Sequence, residues 1–440
     1  GATFNGYPMR LDEVTLGEHL SAVGGRAVLC GKTHAVPNRA DMARLGVDPD
    51  SPAGRRNAEW GFEVWDRLDG LHPPGGPKEL SPKGPNPGGG IGASHYEDYL
   101  RSVGCGGEHP WQEWAAACVA PDGSLRDGWL NENAHLPARV PEEHSETAYT
   151  TNRAIEFMRQ AGDAPWCLHL SYIKPHWPMA APAPYHAMYG PGDVPPVVRS
   201  DAERTDAHPI LREWMEGRAS DIYNRQGARE RVVACYMGLV KQIDDHVGRL
   251  MAFMDESGLA EDTLIVFTSD HGDYLGDHWL GEKSFFHDCS ARIPMIVVDP
   301  SPEADATRGT VDDRLVELID IVPTTIEFMG GSPARHLLEG RSLLPLLRGE
   351  RPEWRTHAFS EIDIGYNARL RRALGRAPLD CRLTMVFDGR WKYVHCPGMR
   401  PMLWDVVEDP DELVDRGADP ALEGVRAGLR DAMLDWALGA

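Results

Sequence analysis

Apolar residues recur at helical spacing from about Arg229 to Ser257, at Val232, Val233, Tyr236, Leu239, Val240, Ile243, Val247, Leu250 and Met251. That spacing predicts one long amphipathic helix, stopped by Gly258. The run Leu264 to Thr268 that follows is apolar without alternation, the pattern of a strand buried on both faces. It empties into Ser269-Asp270-His271-Gly272-Asp273. The same order occurs twice upstream. Thr15 and Glu18 make a capping box for a short helix with Leu16 and Leu20 on its inner side, closed by Gly24-Gly25. Arg26 to Cys30 then reads as a buried strand ending at Gly31-Lys32-Thr33-His34. A helix from Glu146 to about Ala161, with Ala148, Ala154, Ile155 and Met158 apolar, precedes the strand Trp166 to Tyr172. This strand runs into Lys174-Pro175-His176-Trp177-Pro178.

Three helix-to-strand transitions with polar loops at the strands' carboxyl ends predict an α/β fold, a mainly parallel sheet with helices on both faces. Ligands of such sheets bind off the carboxyl ends of the strands, so the three loops are candidates for one place. After about Arg355 the pattern changes to short strands, Thr356 to Ile362, Arg382 to Phe387 and Trp391 to His395, with Asp388-Gly389 as a hairpin signal. A terminal helix, Ala421 to Leu438, carries Val425, Leu429, Met433 and Leu434 on one side. The expected division is therefore an α/β catalytic domain over 1–354 and an α+β subdomain, a small antiparallel sheet with one helix, over 355–440. From Gly70 to Gly90 thirteen of twenty-one residues are Gly or Pro, which predicts a long surface loop or a cover over a site.

Composition narrows the partners. With 440 residues, 42% of them apolar and 25% charged, the chain is globular rather than collagenous, coiled-coil or disordered. Its longest apolar run, the nine residues Val232 to Val240, falls short of the roughly 20 that span a membrane. A net charge of −22 repels nucleic acid and anionic membranes, so an anionic substrate needs a local cationic pocket. Eight scattered cysteines without a C-x-x-C pair suit thiols of a reducing compartment, the cytoplasm, with periplasm and secretion left open. A homo-oligomer is compatible with all of this.

Asp270 and His271 offer an oxygen and an imidazole straight after a strand, a rigid origin for metal ligands. Taken alone, a turn cap at Asp270 with His271 packed beside it is the simpler explanation. Lys283 follows thirteen residues later, past two glycines, so the loop can fold back and bring its ammonium to the same point. Lys32 and His34 flank one residue and on an extended segment point the same way, which suits gripping an anion. His176 sits between two prolines that fix its backbone, useful for proton transfer. Each of these residues also has an ordinary structural explanation. Together they make a metal pair, two Lys and two His, a set suited to an anionic tetrahedral ester. No G-x-S-x-G, GxxxxGK[ST], GxGxxG or H-E-x-x-H offers a rival site.

Thr268-Ser-Asp-His-Gly-Asp-Tyr-Leu-Gly-Asp-His278, continuing to Lys283 and Arg292-Ile-Pro-Met-Ile296, resembles the sulfatase family of the alkaline phosphatase superfamily, nearest to phosphonate monoester hydrolases and related arylsulfatases. Gly31-Lys-Thr-His34, Lys174-Pro-His-Trp-Pro178, Asp320-Ile-Val-Pro323, Leu403-Trp-Asp405 and Asp409-Pro-Asp-Glu412 match in order. The resemblance implies an alkaline-phosphatase-like fold and a hydrolase of sulfate esters or phosphonate and phosphodiester monoanions. It implies that Asp270 and His271 are metal ligands, that Lys283 bridges nucleophile and substrate, and that Lys32, Thr33 and His34 line the anion pocket. His176 would serve the leaving group, and Asn5 would add a donor. One divalent ion is implied, Ca2+ or Mn2+, with Mg2+ or Zn2+ open.

One departure stands out. The family's nucleophile is a formylglycine made from the cysteine of a C-x-P-S-R motif, and no cysteine here has that context. The nearest, Cys289-Ser-Ala-Arg292, lacks the proline and the arginine spacing. Gly1-Ala-Thr-Phe-Asn5 resembles a segment past the nucleophile, so the expectation is a family fold whose front end, with further Asp ligands, lies outside this sequence. The chain by itself is then expected to be inactive and aggregation-prone. A non-catalytic relic that binds anions or a partner, and a zinc phosphomonoesterase or phosphodiesterase of the same superfamily, are the competing readings.

Overall fold

The computed structural model describes residue 11 and residues 13–33, 38–70 and 95–439. Asn5, His34 and most of the Gly/Pro-rich stretch lie outside the described residues. Contacts divide the chain into two units, the first made of residues up to Val194 with Glu230–Thr263 and Val322–Leu338. The second comprises Pro195–Arg229, Leu264–Ile321 and the residues from Glu339 onward.

The first unit holds β1 (Arg26–Gly31), β2 (Glu63–Arg67), β3 (Ala117–Val119), β4 (Leu125–Asp127) and β5 (Trp166–Ser171). β2, β1 and β5 form a parallel sheet in that order, and β3 and β4 an antiparallel hairpin. β1 pairs with β5 without a break, from Arg26 opposite Trp166 to Gly31 opposite Ser171. Alternation sends successive β1 side chains to opposite faces. Ala27 packs with Leu20, in the helix that Thr15 caps, and with Ile326. Cys30 faces the helix Glu146–Gln160, where its thiol donates to Thr150 O. Helices thus cover both faces of a parallel sheet. The long helix runs Ala228–Ser257, one residue earlier than its periodicity suggests, and Gly258 ends it at φ +76°. Val240 leaves the expected apolar stripe, 45% exposed, because one residue is about 100° of turn away from buried Leu239.

The second unit holds β6 (Ile265–Thr268), β7 (Met295–Val298), β8 (Ala358–Asp363), β9 (Arg382–Phe387), β10 (Trp391–His395) and β11 (Met402–Asp405). The expectation for β6 is corrected. Its ladder among the described residues is antiparallel with β7, and Phe267 is 41% and Ile296 59% exposed. A two-stranded ribbon is too narrow to bury both faces, whatever its apolar content. β11, β10, β9 and β8 form an antiparallel sheet in that order. The turn between β9 and β10 falls at Asp388-Gly389, where glycine supplies φ +96°. The terminal helix is Glu423–Leu438, entered through a turn at Pro420–Leu422. Leu429 and Met433 pack on Val386, Tyr393 and Leu403, whereas Leu434, expected beside them, is 59% exposed one step round the helix. No helix among the described residues is long and apolar enough to cross a membrane.

Two buried polar arrangements hold the second unit. Fully buried Asp320 accepts from both guanidinium nitrogens of Arg355, one at 2.6 Å, and Glu317 stands 3.4 Å from the same side chain. Behind the loop that follows β6, the buried His278 and His287 rings stack at 4.0 Å. Tyr274 Oη lies 2.8 Å from His287 Nδ1, and His278 Nδ1 lies 2.7 Å from Glu203 Oε1. Trp404 closes on His287 from 4.8 Å. Burial, then the nearby His278 and Lys392 charges, hold the His287 pKa well below the usual range.

Arg355→Met strands the Asp320 carboxylate in the interior and is expected to cost about 3 kcal/mol, read as a lower urea midpoint at unchanged slope. A histidine kept neutral in the fold leaves stability intact above the unfolded pKa of roughly 6.5 and lowers it below, by about 1.4 kcal/mol per pH unit. Unfolding of His287→Gln between pH 7.5 and pH 5 is therefore expected to lose that part of the slope.

Candidate functional site

In the first unit the chemistry lies at one edge of the parallel sheet. Lys32 and Thr33 follow β1 directly, and Lys32 N–H still donates to Ser171 O at 2.9 Å, continuing the ladder with β5. Gly31 is required where the two strands meet, because a Cβ there would stand 2.0 Å from Ser171 O at φ +109°. Thr33 N–H donates to Asp69 Oδ1 at 2.7 Å, and Arg67 holds the other oxygen of Asp69 at 2.6 Å. Asp69 lies just past β2, so it belongs to the same edge. Nothing in its local sequence singles it out.

The loop that carries His176 leaves β5 at the same end of the sheet as the segment with Lys32, since β1 and β5 are adjacent and parallel. His176 Nδ1 lies 2.5 Å from Trp177 O, and a carbonyl can only accept. Nδ1 therefore carries the hydrogen and Nε2 the exchangeable position. Trp177, which follows His176, packs edge-on against Trp129 with centroids 4.4 Å apart. Lys174, which reads from sequence as part of the same cationic loop, is buried and structural. Its Nζ donates to Pro178 O at 2.8 Å and stands 3.5 Å from Glu146, which also accepts from Trp111 Nε1 at 2.6 Å. The ammonium thus closes the turn that carries His176.

The second unit, taken by itself, holds Asp270, His271 and Lys283. Gly272 packs its backbone against the helix Asp288–Ala291, where a Cβ would stand 2.0 Å from Cys289 O. His271 Nδ1 lies 2.7 Å from Gly272 O, which makes it the N–H. Its Nε2 stands 3.4 Å from Asp270 Oδ2. The chain beyond folds back as a hairpin: Tyr274 N–H donates to Glu282 O at 2.8 Å and Gly276 N–H to Leu280 O at 2.9 Å. That pairing sets Lys283 beside Asp273. Burial pushes the Asp273 carboxyl up to about 6, opposed by the Leu275 N–H, raised further by Glu282 and lowered by Lys283.

A carboxylate next to an imidazole suits a divalent cation in donor chemistry. Among the described residues no group of three or more His, Cys, Asp or Glu could hold a metal, so the pair supplies half of the smallest usual ligand set.

The sulfatase family model matches residues 96–331, and the model of the N-sulphoglucosamine sulphohydrolase C-terminal region matches 276–437. A multifunctional alkaline phosphatase superfamily protein of Trinickia caryophylli is 34% identical over 368 residues, covering 78% of this chain and 71% of that protein. An arylsulfatase of Clostridium perfringens is 32% identical over 240 residues, 52% of this chain and 47% of that enzyme. The solved phosphonate monoester hydrolase of Silicibacter pomeroyi superimposes with a TM-score of 0.81 at 27% identity, over 99% of this chain and 82% of that one. The Agrobacterium radiobacter phosphonate monoester hydrolase gives 0.79, also at 27% identity, with the same coverage of both chains. With the Asp270 to Lys283 loop lying inside the matched region, the chain has an alkaline-phosphatase-like fold and belongs to the sulfatase family.

Proposed function

We propose that the protein hydrolyses sulfate esters or phosphonate and phosphodiester monoanions, using a formylglycine nucleophile that lies outside this sequence. The observation that carries the reading is the loop after β6, where His271, oriented by its Nδ1 contact with Gly272 O, stands beside Asp270 and a hairpin returns Lys283 next to Asp273. Asp270 and His271 would hold one divalent ion with donors from outside the described residues. Once bound, that ion would withdraw electron density from a non-bridging ester oxygen.

The chain's own residues do the rest. Lys32 and Lys283 neutralise the anion, whose charge a water-poor site would otherwise penalise. Thr33 and, beyond the described residues, His34 and Asn5 complete the pocket. His176, anchored through Nδ1–H, delivers a proton from Nε2 to the departing oxygen. Sulfate and phosphonate monoesters are both tetrahedral monoanions and suit the same cations. The similarity to phosphonate monoester hydrolases and to an arylsulfatase supports both substrate classes. A second reading, an anion binder without turnover, is favoured by the lack of any C-x-P-S-R motif in the sequence.

The test compares the 440-residue chain with the product of the full reading frame, made with a formylglycine-generating partner, on 4-nitrophenyl sulfate and a 4-nitrophenyl phosphonate monoester. Turnover is expected from the longer product alone, and its absence from both favours the binder. In an active product, His176→Asn is expected to lower kcat about 10²- to 10⁴-fold, with the larger losses on esters of poor leaving groups.

A further inference from the structure

The second unit contains a cleft of about 170 Å³, lined by Arg204, Arg212, Met215, Glu216, Asn224 and Trp279. Its chemistry runs against the rest of the chain, which carries a net charge of −22. Arg199 and Arg204 stack on the Trp279 indole, 4.0 Å and 4.8 Å from its centroid, and Arg212 adds a third guanidinium. Elsewhere in this unit arginines meet carboxylates, as in Arg355 with Asp320, Arg390 with Asp405 and Arg400 with Asp415. Among the described residues no carboxylate lies within ion-pair distance of Arg204 or Arg212, and Arg212 reaches only Ala207 O, at 3.5 Å. Arg204 and Arg212 outnumber the one carboxylate of the lining, Glu216, so the cleft is net positive and attracts an anion.

The platform beneath them is rigid. His278 and Trp279 both hold positive φ, 52° and 62°, conformations that bulky residues keep only where their surroundings impose them. Here Trp279 Nε1–H donates to Ser200 O at 2.8 Å, His278 N–H to Val198 O at 2.8 Å, and Val198 N–H to Asp277 Oδ1 at 2.9 Å. Backbone strain is thus used to fix an indole under arginines.

We propose that this cleft binds a small organic monoanion, an oxyanion group carried on a ring. Arg204 and Arg212 take the oxyanion through paired N–H donors, and the ring lies against Met215 and the indole edge. The volume is several times the roughly 30 Å³ of a water molecule, enough for a ring as well as its oxyanion. Glu216 on the wall repels a second negative charge and so selects monoanions.

The probe is benzenesulfonate, titrated into the full chain labelled with 15N-tryptophan, with the Trp279 indole signal assigned through Trp279→Phe. A saturable shift of that signal is expected, with inorganic sulfate at least about tenfold weaker. Arg204→Gln/Arg212→Gln, both exposed and outside the core, should keep the thermal midpoint and weaken benzenesulfonate at least about tenfold, while Glu216→Gln strengthens it. An unmoved Trp279 signal, or a shift that survives loss of both arginines, overturns the site. Equal affinity for inorganic sulfate overturns the assignment to a ring-bearing ligand.

Discussion

Between Leu275 and Ser284 five residues other than glycine hold positive φ: Leu275, His278, Trp279, Glu282 and Ser284. Such backbone costs free energy at each position and persists only where packing leaves no alternative. The packing here is the buried stack of His278 on His287, tied to Tyr274 and Glu203 and closed by Trp404. Without it the hairpin that returns Lys283 beside Asp273 has no reason to keep its shape. The loop that carries the candidate site residues is therefore held in shape by residues outside that set.

The first unit solves the same problem with a sheet. Parallel pairing of β1 with β5 brings the ends of both strands to one edge, and the loops that leave there carry Lys32 and His176. A buried ammonium, Lys174, then fixes the turn by bonding Pro178 O while Glu146 balances its charge. Removing water from both partners makes this pair costly to break and keeps the turn in one conformation. Net charge follows the same division of labour. A strongly acidic surface keeps anions away except where a few cations are gathered.

Much of the architecture is written in local patterns. The capping box at Thr15, the long helix ended by Gly258, strands β1 and β5, and the hairpin at Asp388-Gly389 each follow from a few neighbouring residues. β2 and β11 are not visible this way. Glu63-Val-Trp-Asp-Arg67 is charged at its ends, and Met402–Asp405 is too short to show a period. β6 misleads in the other direction, because an apolar run reports what could be buried and not what is present to bury it.

The sequence by itself determined the element order, the family and the residues with chemical capacity, since capping, periodicity and the Asp270 to Lys283 spacing are properties of adjacent residues. Only the tertiary structure decided which of them serve the fold. Lys174 and Lys32 look alike in sequence, yet one is sealed against Glu146 and the other stands at the sheet edge. Asp69, ordinary in its own segment, faces Thr33 because β2 pairs with β1. The arginines around Trp279 converge because a left-handed turn, held by contacts from Val198 and Ser200, aims the indole at them. Burial and juxtaposition depend on residues far apart in the chain, and no local pattern encodes them.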